Sequence, residues 1–173
     1  YNSFSVPNEV WLKGQRTDNP LVSLVEWTRA GGGLMMAGGY LSFQGFQARA
    51  NFARSPIAEA LPVDMLTSDD RAEKPEGATC RLVSADHEIA RAWTGDAPQL
   101  LGYNVVTAKP DAEVVATVDG DVLIATRSFG QGRSLVWTSD IGPHWCPTPF
   151  LEWDGFGPLV GAMLRWLANG RAS

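Results

Sequence analysis

Apolar residues along this chain alternate between helical and extended spacing. Asp18-Asn19-Pro20 reads as a helix start, a capping side chain followed by proline in the first turn. Leu21, Leu24, Val25 and Thr28 then recur at helical spacing, with Val22 and Trp27 widening the stripe. Gly31-Gly32-Gly33 ends that helix. Leu34-Met35-Met36-Ala37 follows, a short apolar run between glycines, as expected of a strand buried on both faces of a parallel sheet. At its carboxyl end, Gly38 to Gly45 (Gly-Gly-Tyr-Leu-Ser-Phe-Gln-Gly) predicts a turn.

Further on, Ser55-Pro56 opens a short helix over Ile57 to Leu61, and Pro62 to Leu66 reads as a strand. Thr67 to Gly77 is charged and reads as a loop, and Ala78 to Val83 as a strand. Asp86 caps one or two helical turns reaching Trp93. Tyr103 to Ala108, Glu113 to Val118, Val122 to Ser128 and Ser134 to Thr138 predict strands. Asp119-Gly120 is a hairpin signal, and Phe129 to Gly132 makes a second glycine turn. Ser139 to Glu152 is a loop rich in Pro and Trp. Phe156, Leu159, Val160, Met163, Leu164 and Leu167 keep the period of a final helix. Residues 1 to 17 are polar and irregular. Trp11, Trp27, Trp137 and Trp166 read as core or helix-face residues. With no repeat and no linker, the expectation is one α/β domain over 1–173, its sheet mixed, with an antiparallel edge. The chain opens at Tyr1 on irregular sequence, so first strand-helix units are expected to be missing.

Composition narrows the function. Hydrophobic residues make up 45% of the 173, enough for a sizeable core. A net charge of -5 argues against non-specific nucleic-acid binding. No apolar stretch reaches the roughly 20 residues of a membrane span, and no polybasic patch or signal segment is visible. Cys80 and Cys146 match no zinc or redox spacing and read as free thiols of a cytoplasmic protein. No metal and no cofactor is expected.

Three strings carry a resemblance: Gly31 to Gly45, which includes GGYLSFQG, then Gly130 to Asp140, then Gly142-Pro143-His144-Trp145. Together they resemble a bacterial family of class I glutamine amidotransferase-like proteins, related to the ThuA-like proteins of sugar utilisation. The resemblance implies a flavodoxin-like, three-layer α/β sandwich and a family chain longer at its N-terminus. In true class I amidotransferases a Cys nucleophile sits on the turn after a buried strand, with His and Glu further along. The turn here has no Cys, and no late His-x-Glu pair exists. The expected function is therefore an amidotransferase-like domain without glutaminase activity that binds a small polar ligand, a carbohydrate among the candidates.

The candidate site follows from placement, since ligands of open α/β sheets bind beyond the carboxyl ends of strands. Gly38 and Gly39 permit close backbone approach, while Tyr40, Ser42, Gln44 and Trp145 offer polar or aromatic groups. The alternative is a hydrolase in which His144 is the base, Asp140 orients it and Ser42 is the nucleophile; Cys146 is a weaker nucleophile candidate. Asp69-Asp70-Arg71 reads either as a site for a metal or polar ligand or as a solvated ion pair. His87 reads as a surface residue. Tyr40, Trp145 and Trp153 are candidates for stacking on a sugar, set against packing. Exposed Trp near loop tips would fit a homo-oligomer contact.

Overall fold

A computed structural model describes residues 6–169. Helix α1 (Asn8–Lys13) lies where irregular chain was expected, closed by Gly14 in the left-handed region. None of its residues is buried, and Trp11 is 66% exposed, so no apolar stripe announced it. Helix α2 (Pro20–Arg29) starts as its sequence predicts: Asn19 Oδ1 accepts the Leu21 N–H at 3.0 Å. Its buried face is Leu21, Val25 and Thr28, while Trp27 stands half in solvent rather than in the core.

The main sheet contains β1 (Gly33–Ala37), β4 (Cys80–Leu82), β7 (Glu113–Val118), β8 (Asp121–Phe129) and β9 (Gly132–Trp137), in the order β1-β9-β8-β7-β4. Among the described residues of this sheet only β1 and β9 run parallel; the other pairs are antiparallel. The sheet is thus mixed with an antiparallel edge, as expected. Asp119 and Gly120, both at positive φ, turn β7 into β8. Two small antiparallel pairs flank it: β2 (Val63–Met65) with β6 (Val106–Ala108), and β3 (Arg71–Ala78) with β5 (Leu100–Asn104).

Period-two alternation sends side chains of the central strands to two cores. Leu34, Met36 and Val136 pack with Leu21 and Val25 of α2 and with Ile57 of α3 (Ile57–Ala60). Met35, Leu135 and Trp137 pack with Leu159, Met163 and Leu167 of α5 (Phe156–Ala168). Helices therefore cover both faces of the β1–β9 pair, and each fully buried large side chain, such as Leu135, contributes about 1.5–3 kcal/mol.

Several expected boundaries shift. The charged stretch read as a loop is strand β3, whose polar side chains face outward while its backbone pairs with β5. The strand expected over Ala78 to Val83 is broken at Thr79, which separates β3 from β4. That over Tyr103 to Ala108 is broken at Val105, whose N–H donates to the Asp70 carbonyl at 2.7 Å. His87, not Asp86, caps the single helical turn at Glu88–Ala92, its Nδ1 accepting the Ile89 N–H at 3.1 Å. His87 is buried rather than on the surface, its Nε2 3.2 Å from Thr126 Oγ1, and burial pushes its pKa down. The loop after β9 contains a short helix, α4 (Thr148–Leu151).

Candidate functional site

The glycine turn leaves the carboxyl end of β1 beside its parallel neighbour. The Gly38 N–H donates to the Trp137 carbonyl at 2.8 Å, and a Cβ on Gly38 would stand 2.1 Å from the Thr138 carbonyl oxygen. Only glycine fits so close to another backbone. A buried carboxylate–amide pair then staples the turn. Asn104, fully buried at the end of β5, accepts the Gly39 N–H at 2.8 Å and donates to Asp70 Oδ1 at 2.8 Å. Asp70, 1% exposed, accepts the N–H of Gln44 at 2.9 Å and of Gly45 at 2.8 Å. Burial raises the Asp70 pKa despite these three hydrogen bonds.

The acidic cluster thus splits into two structural roles. Asp70 points inward to the turn. Asp69 grips Arg71 through two hydrogen bonds, at 3.0 and 2.9 Å, and accepts the Gln47 N–H at 2.8 Å. The Arg71 side chain holds the Asp69 carboxyl down at about 2. Among the described residues no group of His, Cys, Asp and Glu is arranged to hold a metal ion.

The loop after β9 meets the turn. Asp140 Oδ2 lies 2.7 Å from His144 Nδ1 and accepts the Trp145 N–H at 3.1 Å. A carboxylate only accepts, so Nδ1 carries the proton and Nε2 is left for a partner. The His144 side chain is about half exposed and its backbone φ is 141°. A side chain held in that region stores strain, a common mark of working sites. Gly39, at φ 135°, leaves room for Asp140: a Cβ there would lie 2.8 Å from Asp140 Oδ1. Tyr40 stands edge-on to the His144 ring, centroids 4.9 Å apart, and donates from its hydroxyl to Glu73 Oε1 at 2.7 Å. Glu73 Oε2 accepts from Trp145 Nε1 at 3.0 Å. Burial works against the Glu73 carboxylate, but the Tyr40 and Trp145 hydrogen bonds outweigh it and lower its pKa. Arg71 lies 4.5 Å over the Tyr40 ring and 4.6 Å over that of Phe46.

The structure brings Gly38, Gly39, Tyr40, Asp140 and His144 together. Gln44 is buried, its Oε1 accepting the Ala53 N–H at 2.9 Å, and offers no surface group. Trp145 is 1% exposed and walls the site from behind instead of presenting a stacking face. Ser42 is half-buried, and no hydrogen bond joins it to His144 among the described residues. The Cys146 thiol is fully buried, which pushes its pKa up to about 12 and makes it unfit as a nucleophile. Trp153 packs on Trp93 and Phe150. Asn104 and Glu73 escaped sequence reading. The one signal is a lone amide closing an otherwise apolar run, and Glu73 lies in the charged stretch that reads as a loop.

A glycine turn and an Asp–His pair at the ends of two parallel strands are consistent with an amidotransferase-like α/β domain. The family model described as "Putative glutamine amidotransferase" matches residues 1–169, and the chain belongs to that family. It is similar to Cytoplasmic Protein STM3548 from Salmonella typhimurium, at 39% identity and a TM-score of 0.91 over 95% of this chain. Cytoplasmic Protein STM1381 from Salmonella typhimurium LT2 gives 35% identity, with the same TM-score and coverage. The chain spans 66% of the length of each. A beta-galactosidase from Bacillus circulans sp. alkalophilus shares 14% identity and a TM-score of 0.55 over 84% of this chain and 20% of its own, a likeness of fold alone. The curated proteins include no match. No helix of the described residues is long and apolar enough to cross a membrane.

Proposed function

We propose that this is a glutamine amidotransferase-like domain without the glutaminase nucleophile, binding a small polar ligand, with a carbohydrate as the favoured class. The ligand would sit where the Gly38–Gly45 turn meets the Asp140–Trp145 loop. The observation that carries this reading is the residue opposite the imidazole. It is Tyr40, with its hydroxyl on Glu73, and not a thiol. Tyr40 and His144 keep exposed surface, so they can meet a ligand directly. A half-exposed aromatic ring beside hydrogen-bonding groups suits a sugar, which has apolar faces and polar edges. Incubating the purified chain with glutamine tests the first half: no ammonia release above buffer is expected, and steady release would overturn it.

The finer assignments belong to this proposal too: a flavodoxin-like three-layer arrangement, kinship with ThuA-like proteins, bacterial origin, a cytoplasmic setting, a homo-oligomeric state, and no nucleic-acid or membrane partner. The helices on both faces of the β1–β9 pair support the first, and the names of the two Salmonella proteins support the bacterial origin and the setting.

The second reading, a hydrolase, is favoured by the Asp140–His144 hydrogen bond at 2.7 Å, which orients an imidazole as a general base does. It needs Ser42 or a water as nucleophile. Ester hydrolysis abolished by His144→Gln but retained by Ser42→Ala would assign water that role; absence of hydrolysis in the parent chain removes the reading.

A further inference from the structure

A second cavity lies at the far end of the main sheet from the glycine turn. Arg133 of β9 stands opposite Gly33, the first residue of β1, whereas Gly38 follows the last. Cross-strand pairing builds the cavity floor. Thr126 of β8 stands opposite Glu113 of β7, and Ser128 of β8 opposite Arg133. Directly paired residues point to the same face of a sheet, and so do residues two apart on one strand. All four side chains therefore emerge together. They share the face of Ile124, which packs in the core that α5 covers. His87 and Trp166 close the space above, their ring centroids 5.7 Å apart. The cavity holds about 420 Å³, room for a small molecule.

Its inner groups are fixed. His87 Nδ1 accepts the Ile89 N–H, so the neutral ring carries its hydrogen on Nε2 and donates it to Thr126 Oγ1 at 3.2 Å. His87 and Thr126 are 8% and 3% exposed. The charges around them are unevenly matched. Arg127 is taken up by Asp111 and by the Glu59 carbonyl, both at 2.8 Å. Glu113 accepts from the Ser84 hydroxyl and pairs with no cation among the described residues. Arg133 donates to the Trp166 carbonyl at 2.9 Å and lies 4.9 Å over the Trp166 ring, while Glu88 stands off at 3.6 Å. A guanidinium has five N–H donors, so Arg133 keeps donors to spare. The Ser128 hydroxyl enters no hydrogen bond among the described residues. We propose that this cavity binds a small zwitterionic amino compound, its ammonium on Glu113 and its carboxylate on Arg133 and Ser128. Glu113 and Arg133 are two strand spacings apart, about 9.6 Å, and two residues out of register. A zwitterion with separated charges, an ω-amino acid or a dipeptide, therefore spans them better than an α-amino acid. The site does not depend on what the Tyr40–His144 face binds.

NMR titration of the chain with γ-aminobutyrate and glycylglycine, beside butyrate and butylamine, tests this. Saturable shifts of the Ser128 and Arg133 amides and of the Trp166 indole N–H are expected with both zwitterions. Their binding should be at least about tenfold tighter than that of either singly charged analogue, because each end adds a charge-assisted hydrogen bond. Glu113→Gln keeps the side chain's shape and should weaken γ-aminobutyrate at least about tenfold while leaving butyrate unchanged. Equal affinity for butylamine or for butyrate would make this a site for one charge alone and overturn the proposal. So would undiminished binding in Glu113→Gln, no shift with either zwitterion, or shifts confined to Gly39, Tyr40 and His144.

Discussion

Replacing Asp70 by asparagine keeps the shape of the side chain and removes its charge, and the turn should feel the change at once. Asp70 offers its oxygens to three donors: the N–H of Gln44, the N–H of Gly45 and the Asn104 amide. Asparagine has one oxygen. With that oxygen kept on Gly45 and Asn104, the new amide nitrogen faces the Gln44 N–H across about the 2.9 Å of the present bond. A buried donor left without a partner costs about 1–3 kcal/mol. The two surviving bonds lose charge assistance, about 1–2 kcal/mol together, and relief of a buried charge offsets part of that. The net expectation is about 2–3 kcal/mol of lost stability, or roughly 5–10 °C in Tm for a domain of this size. Thermal unfolding followed by circular dichroism reads the shift, and amide NMR signals of Gln44 and Gly45 show whether the turn itself moved. A Tm within about 1 °C of the parent, with those signals in place, would refute the claim that Asp70 holds the turn.

Four further outcomes are expected. Gly39→Ala puts a Cβ against Asp140 Oδ1 at a φ that disfavours side chains, so it should lose about 1–3 kcal/mol and shift the His144 ring signals in NMR. His144→Gly relieves strain at φ 141° and gives up one exposed hydrogen bond, so Tm should hold or rise in a thermal scan while any activity of the site is lost. The Asp69 carboxyl is depressed from 3.8 to about 2 by Arg71. Its pairing therefore supports the fold above about pH 4 and is lost as pH falls towards 2, and Asp69→Asn should flatten the acid limb of a stability–pH profile over that window. Burial raises the Cys80 and Cys146 thiols to about 12, so neither should react with a thiol reagent at neutral pH until denaturant unfolds the chain.

Elements with strong periodicity or strong punctuation were legible. Asn19-Pro20 and Gly31 bracket α2, and Asp119-Gly120 turns β7 into β8, because capping and left-handed turns demand those residue types. Strand β3 was not legible, because a strand covering the outside of a molecule carries Lys, Glu and Pro without apolar alternation. Helix α1 was missed for a similar reason, having no buried face. Gly38, Gly39, Tyr40, Asp140 and His144 read as neighbours from sequence because they follow apolar strands, and the structure sets them side by side. Gln44 and Trp145 were misjudged because a polar or aromatic side chain in a loop gives no sign of pointing inward. Asn104 and Asp70 act on the turn across 65 and 25 residues of sequence, a coupling that only the paired strands reveal.

Titrating the isotope-labelled chain with neutral monosaccharides and sugar acids, while following the amide signals of Gly39, Tyr40 and His144 by NMR, tests the proposed binding edge most directly. Saturable shifts at these three positions, lost in His144→Gln, are the expected result. Unchanged signals with every sugar tried, or shifts confined to another face of the domain, would contradict the account.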